Sequence, residues 1–184
     1  DGVDDYVLLP QLTPSAINTG NSSTFLIQYK GLGALFAGSV TSAPVYPIMF
    51  RVEIIDIGGG QCNIKTYNRS DGNIINLEPA TAAFNYDGTT WATLAIVIDN
   101  NTGNYILYNN GVKLLDYSVT PSSYTTPMTW HIGNTVYNGG GVNSFNGLID
   151  NISIWDTALD SAQIHFYFDC PPTGSENNLY ANWN

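Results

Sequence analysis

Four carboxylates are the first side chains here that could do chemistry. Asp1, Asp4 and Asp5 crowd the start of the chain, and Asp150 sits in the late apolar stretch Ile149-Asp-Asn-Ile-Ser-Ile-Trp155. Clustered carboxylate and carbonyl oxygens suit a hard cation. Asp87 and Asp99 flank turn sequences and read as turn formers. A second group has the chemistry that holds a sugar, aromatic faces beside amide side chains. Tyr46, Tyr124 and Tyr137 lie in or beside loops, as does Tyr67, and Asn138-Gly-Gly-Gly-Val-Asn143 reads as a flexible loop carrying Asn138 and Asn143. Loops carry binding residues more often than strand faces do. Paired carboxylates for glycoside hydrolysis come closest at Glu53-Ile-Ile-Asp56, but that spacing puts the two acids on opposite faces of a strand. His131 and His165 have no Ser or Cys in motif context. Cys62 and Cys170 lack metal-ligand spacing, and two such distant cysteines do not establish a disulfide.

The bulk charge narrows the partners. The 184 residues include 15 acidic and 5 basic ones, a formal net charge of -10. Charged residues are only 11% of the chain, against roughly 25% in an average domain, so Asn, Ser, Thr and Tyr must build the polar surface. Nucleic acid and anionic membranes require a basic patch, which this composition argues against. Cations and neutral ligands such as glycans fit it. No apolar run approaches the roughly 20 residues of a membrane span, so insertion is not expected. The chain starts at Asp1 and reads as one domain excised from a longer secreted, cell-surface or virion-associated protein.

The elements that must position these residues are strands. Short apolar bursts separated by Gly, Asn, Pro and Ser recur along the chain. Strands are expected at Tyr6–Leu9, stopped by Pro10; at Thr24–Tyr29, closed by Lys30-Gly31; at Ala34–Gly38, Pro47–Ile55 and Cys62–Tyr67; and at Trp91–Ile98, Asn104–Tyr108, Val112–Tyr117, Met128–Ile132 and Leu148–Trp155. Asn110-Gly111 is a hairpin signal. The apolar strand after Trp91 places its ring in the core. One short helix is expected near 158–166, starting by Asp156-Thr157. Residues 170–178 read as a linker, and 179–184 as a terminal strand. Many strands without alternating helices indicate an antiparallel two-sheet β-sandwich or jelly roll.

Five segments in order then carry a family resemblance over residues 1 to about 165. They are Asp1-Gly-Val-Asp-Asp-Tyr-Val7, Gly88-Thr-Thr-Trp91 with Ala95, Tyr108-Asn-Asn-Gly111, Ile132-Gly-Asn134 and Phe145-Asn-Gly-Leu-Ile-Asp-Asn-Ile-Ser-Ile-Trp155, the last followed by Ala158-Leu159 and Ile164. Together they resemble laminin-G-like, concanavalin A-like jelly-roll domains. The resemblance implies a non-catalytic extracellular recognition module whose ligand is a glycan or another cell-surface or matrix component. It also implies a structural Ca2+ held by Asp150 and Asp5, with Asp1 and Asp4 in reserve. A structural or adhesive repeat binding protein or nothing is the alternative, and a glycoside hydrolase a lesser one. The family's usual opening strand is missing from the front, and Asn178-Leu-Tyr-Ala-Asn-Trp-Asn184 resembles it. That segment is expected either to begin a neighbouring repeat or to fill the vacant first-strand position.

Overall fold

The computed structural model describes residues 7–12, 22–39, 48–70, 73–77, 83–118, 128–137 and 140–183. Among them are fourteen strands, and the pairings given residue by residue are all antiparallel. The long strand β2 (Ser23–Ser39) takes part in both of the compact units into which the chain divides. Its first half pairs with β7 (Ala92–Asp99), from Ser23↔Ile98 to Tyr29↔Ala92. Its second half pairs with β3 (Ile48–Gly58) and β10 (Met128–Ile132). Two strands separated by Lys30-Gly31 were expected here, and one continuous strand is found. Gly31 does not turn the chain. It has a φ of +138, and a Cβ there would lie 2.2 Å from the Asn146 carbonyl oxygen, so the glycine lets a second backbone pass close by.

In the first unit the order is β1 (Val7–Leu12), β10, β2, β3, β4 (Gln61–Ser70) and β5 (Asn73–Leu77), and the two-residue β6 (Phe84–Asn85) also pairs with β4. β1 runs through Pro10 instead of stopping there. Among the described residues it pairs with β10 alone, and its register shifts between Leu9 and Leu12, an edge position with a bulge where proline's missing N–H is tolerated. Phe36, Val52, Ile54, Ile64 and Trp130 are fully buried, with Phe36 and Trp130 stacked at 4.7 Å. β11 (Asn134–Tyr137) and β12 (Gly140–Ser144) pair as a separate two-stranded sheet.

In the second unit β7 pairs with β8 (Asn104–Asn109), which pairs with β9 (Val112–Ser118). The β8–β9 turn has Asn110 at φ 49 and Gly111 at φ 72, the two positive values a tight hairpin requires. β7 is buried on both faces. On one of them Leu26, Ala95, Val97 and Tyr108 pack against Trp155, Leu159 and Ile164 under the helix α1 (Ser161–Asp169). That helix starts later than Asp156-Thr157. Thr24 Oγ1 donates to the Thr157 carbonyl at 2.8 Å and accepts the Leu159 N–H at 2.9 Å, which ties this stretch to β2. Asp160 then caps the helix in a reciprocal box with Gln163.

β13 (Asn146–Trp155) follows β12, and β14 (Leu179–Trp183) lies antiparallel beside it in the same chain, from Ile152↔Trp183 to Trp155↔Leu179. The stretch expected as a linker carries its own structure. Glu176 Oε1 accepts the Thr173 N–H at 2.7 Å and its hydroxyl at 2.9 Å, and Oε2 accepts the Gly174 N–H at 2.9 Å. The Thr173 N–H bond leads the causes that hold this carboxyl down to about 2, against an ordinary value of 4.5. A carboxyl depressed in the folded state adds stability above its unfolded value, and that stability is lost as pH falls through the folded one. Acid unfolding of the chain should therefore steepen between pH 4.5 and about 2. Glu176→Gln is expected to flatten that limb; superimposable acid-unfolding curves would show that the turn contributes nothing.

Candidate functional site

Alternation along β3 and β4 sorts their side chains onto two faces. Val52 and Ile54 of β3, with Cys62, Ile64 and Thr66 of β4, are buried on one face. The other face carries Arg51, Glu53 and Ile55 from β3, whose partners in β4 are Tyr67, Lys65 and Asn63. The register extends this face onto β2 and β10. His131, Ala37, Arg51 and Tyr67 form one cross-strand row, and Ala34, Glu53 and Lys65 form the next. Glu53 is only 4% exposed and His131 7%. The Arg51 side chain is 20% exposed, and its Nε stands 3.4 Å from Glu53 Oε1. That is near enough for an ion pair but not a formed hydrogen bond, since Nε is buried without a hydrogen-bond partner. Burial pushes the His131 imidazole below the ordinary histidine value, so it is neutral at pH 7. The face thus brings together donors on Arg51, Lys65 and Asn63 and acceptors on Glu53 and Asn63.

The sequence had singled out Glu53 only as half of an acid pair with Asp56. Asp56 is exposed, and its Oδ1 accepts the Gly58 N–H at 2.7 Å in the β3–β4 turn. The site signal lay instead in the odd positions 51, 53, 63 and 65, and it needed the register between two strands to become visible.

Asp150 is exposed on β13, and its Oδ1 accepts the Asn151 N–H at 2.9 Å. Asn151 has a φ of 43, and its side chain donates to Gln28 Oε1 at 2.7 Å. Asp1, Asp4 and Asp5 lie outside the described residues. Among the described residues no three His, Cys, Asp or Glu side chains gather where they could hold a metal ion, and of the residues expected to hold calcium Asp150 alone falls among them. Asp87 and Asp99 are turn formers. Asp87 accepts from the Thr89 N–H and hydroxyl. Asp99 accepts from Ser22 at 3.0 Å and from the Thr102 hydroxyl at 2.6 Å. Burial raises the Asp99 carboxyl, but the Thr102, Ser22 and backbone bonds together outweigh it and hold the group low.

Of the expected sugar contacts, Tyr46, Tyr124 and Asn138 lie outside the described residues. Tyr137 is in β11 and Asn143 in β12, where it pairs with Thr135. Gly140–Ser144 is therefore not the loop expected from its glycines. Pairing with β11 supplies its backbone hydrogen bonds, and the register shift between Thr135 and Val136 accommodates the irregular sequence. Tyr67 lies in the strand expected for it, β4, which runs on to Ser70. Trp91 is a further correction, because it is 49% exposed. β7 begins one residue later at Ala92, so the indole sits before the ladder, after the Asp87–Thr90 turn. His165 is exposed and packs on the β8–β9 turn, where a Cβ on Gly111 would lie 2.8 Å from its Nδ1. Both cysteines are free. Burial leads the causes that push the Cys62 thiol up to about 11, so it stays protonated.

Comparisons with known proteins bear on this geometry. The family described as the concanavalin A-like lectin/glucanases superfamily, a laminin-G type, matches residues 1–165. No curated protein sequence matches the chain. Among solved structures, the chain is similar to a heptameric SAP-like pentraxin from Limulus polyphemus, at 17% identity and TM-score 0.64, covering 85% of this chain and 75% of that one. It is similar to the CBM40 of an IT-sialidase from Ruminococcus gnavus bound to α2,3-sialyllactose, at 14% identity and TM-score 0.64, covering 88% of this chain and 98% of that one. It is also similar to the NanB sialidase of Streptococcus pneumoniae, at 19% identity and TM-score 0.63, but spans only 26% of that chain. At these identities the likeness is one of fold.

Proposed function

This chain belongs to the concanavalin A-like lectin/glucanase superfamily, with its jelly-roll fold, and from that premise we propose that it is a non-catalytic carbohydrate-binding module that works outside the cell and is stabilised by calcium. The observation that carries the reading is the β3–β4 face. Arg51, Glu53, Asn63 and Lys65 stand in register on two adjoining strands, a fixed array of donors and acceptors. Rigid elements hold such an array more closely than loops do. A hydrolase would need two carboxylates flanking a glycosidic bond. Glu53 instead lies beside Arg51, while Asp56, Asp87, Asp99 and Glu176 are engaged in turns. The CBM40 structure, which holds α2,3-sialyllactose, lends support at the level of fold.

For calcium, Asp150 and Asp5 would be direct ligands, with Asp1 and Asp4 as further oxygens. The ion would neutralise part of the formal charge of -10. Melting the chain in excess calcium and again after EDTA tests this. Saturation at a hundredfold excess over Kd adds about 2.7 kcal/mol to stability, so a clear drop in Tm on chelation is expected, abolished in Asp150→Ala. An unchanged melt removes calcium from the account. A screen of neutral and acidic glycans tests the main reading. Saturable binding supports it, and no binding to any glycan moves the chain to the structural or adhesive spacer.

A further inference from the structure

We propose that the row Asn151, Gln28, Thr93 and Asn110, with the exposed indole of Trp91 beside it, is a binding site for a neutral pyranose sugar; this rests on the carbohydrate-binding reading above but not on the β3–β4 face. The row lies in the second unit, on the face of β2 and β7 that α1 covers in part. Leu26 and Ala95 are cross-strand partners on that face and pack in one cluster with Leu159 and Ile164. Gln28 and Thr93 are the next pair on the same face, two residues along each strand. They lie outside the cluster under the helix.

Three observations lead to a sugar. The first is how the amides are held. Asn151 Nδ2 donates to Gln28 Oε1 at 2.7 Å. Asn110 Oδ1 accepts the Thr93 N–H at 2.9 Å, and the Asn110 N–H donates to the Thr93 carbonyl at 2.8 Å. Each amide side chain is therefore tied at one end. Asn151 Oδ1, Gln28 Nε2 and Asn110 Nδ2 have no partner among the described residues. A tied amide presents its open end in a fixed direction, so less ordering is needed on binding. These ends supply one acceptor and two donors, and the Thr93 hydroxyl can do either, which suits sugar hydroxyls that both donate and accept. The second is charge. None of the four side chains ionises, so the row has no cation to receive a carboxylate or phosphate, on a chain whose formal charge is -10. The third is Trp91, 49% exposed, although tryptophan is on average highly buried. It stands one residue before β7, and the strand's alternation carries it to the same side as Thr93. The next residue, Ala92, is buried and paired with Tyr29, which fixes the chain at the indole. A flat apolar ring beside such a row can take the C–H face of a pyranose while the row takes its hydroxyls.

Calorimetry on the full chain with a panel of neutral disaccharides, among them lactose, cellobiose and mannobiose, and with a glucuronic acid-terminated oligosaccharide tests the assignment. At least one neutral disaccharide is expected to bind saturably. Trp91→Ala removes the stacking face. Gln28→Glu keeps an oxygen for Asn151 and replaces the Nε2 donor by an acceptor. Each is expected to lose at least tenfold of that affinity. Circular dichroism and melting establish that each variant is folded. If one of them does not fold, Thr93→Val takes its place with the same expectation. Neutral-sugar binding that survives either change in a folded variant overturns the assignment and leaves the carbohydrate reading standing, as does binding of the acidic saccharide but of no neutral one. Binding of no saccharide in the panel overturns both.

Discussion

Gly31→Ala and Gly147→Ala are each expected to destabilise the chain by about 3–5 kcal/mol, the range of severe single substitutions. At about 2–4 °C per kcal/mol for a chain of this size, thermal melting would fall by at least about 6 °C. The cause is a close approach of two backbones. A Cβ on Gly31 would lie 2.2 Å from the Asn146 carbonyl oxygen, and one on Gly147 would lie 2.1 Å from the Lys30 carbonyl oxygen. Both obstacles are backbone, so no side chain can swing aside. Gly59→Ala is the control. Its φ is +69, but nothing stands within 4 Å of its Cβ, so it meets only the left-handed penalty of about 1–2 kcal/mol. The double variant carries a further expectation. Either alanine forces the same two strands apart, so the second should cost much less than the first. Full additivity in the melts would mean that the strands do not meet there.

That crossing also shows what the sequence could and could not convey. Apolar runs and turn residues located most strands within a few positions, and Asn110-Gly111 named its hairpin correctly, because those signals are local. Gly31 carries the same local signal as a turn glycine, and only the tertiary approach of Asn146 and Gly147 distinguishes the two. Trp91 was misplaced for a related reason. An aromatic residue at the head of a buried run reads as core, but the ladder starts at Ala92. The family signature at Asp150 was legible. The Arg51, Glu53, Asn63 and Lys65 face was not, because it depends on Glu53 being opposite Lys65, a pairing across the β3–β4 turn. A one-residue slip would have sent half of these side chains to the core face.

Removing residues 171–184 is expected to lower melting by about 6–12 °C and to promote association. Leu179 packs against the cluster of Leu26, Val97, Trp155 and Ile164, and Ala181 and Trp183 are partly buried. Their apolar area and the cross-strand pairs of β14 are together worth on the order of 3 kcal/mol, or about 2–4 °C for each kcal/mol. The stretch before β14 adds anchors that go with it. The Asp156 N–H donates to the Asn178 carbonyl at 3.0 Å, while Asn182 Nδ2 donates to the Pro172 carbonyl at 3.1 Å and braces the segment internally. The deletion also bares the edge of β13 opposite Ser153 and Ile154, and an unpaired apolar edge recruits other strands. Light scattering would detect the resulting association. Adding a synthetic peptide of residues 171–184 should reverse both effects if the segment acts by filling that edge. A truncated chain that melts like the full one and stays monomeric would mean that β14 is an appendage and that β13 is stable as an edge.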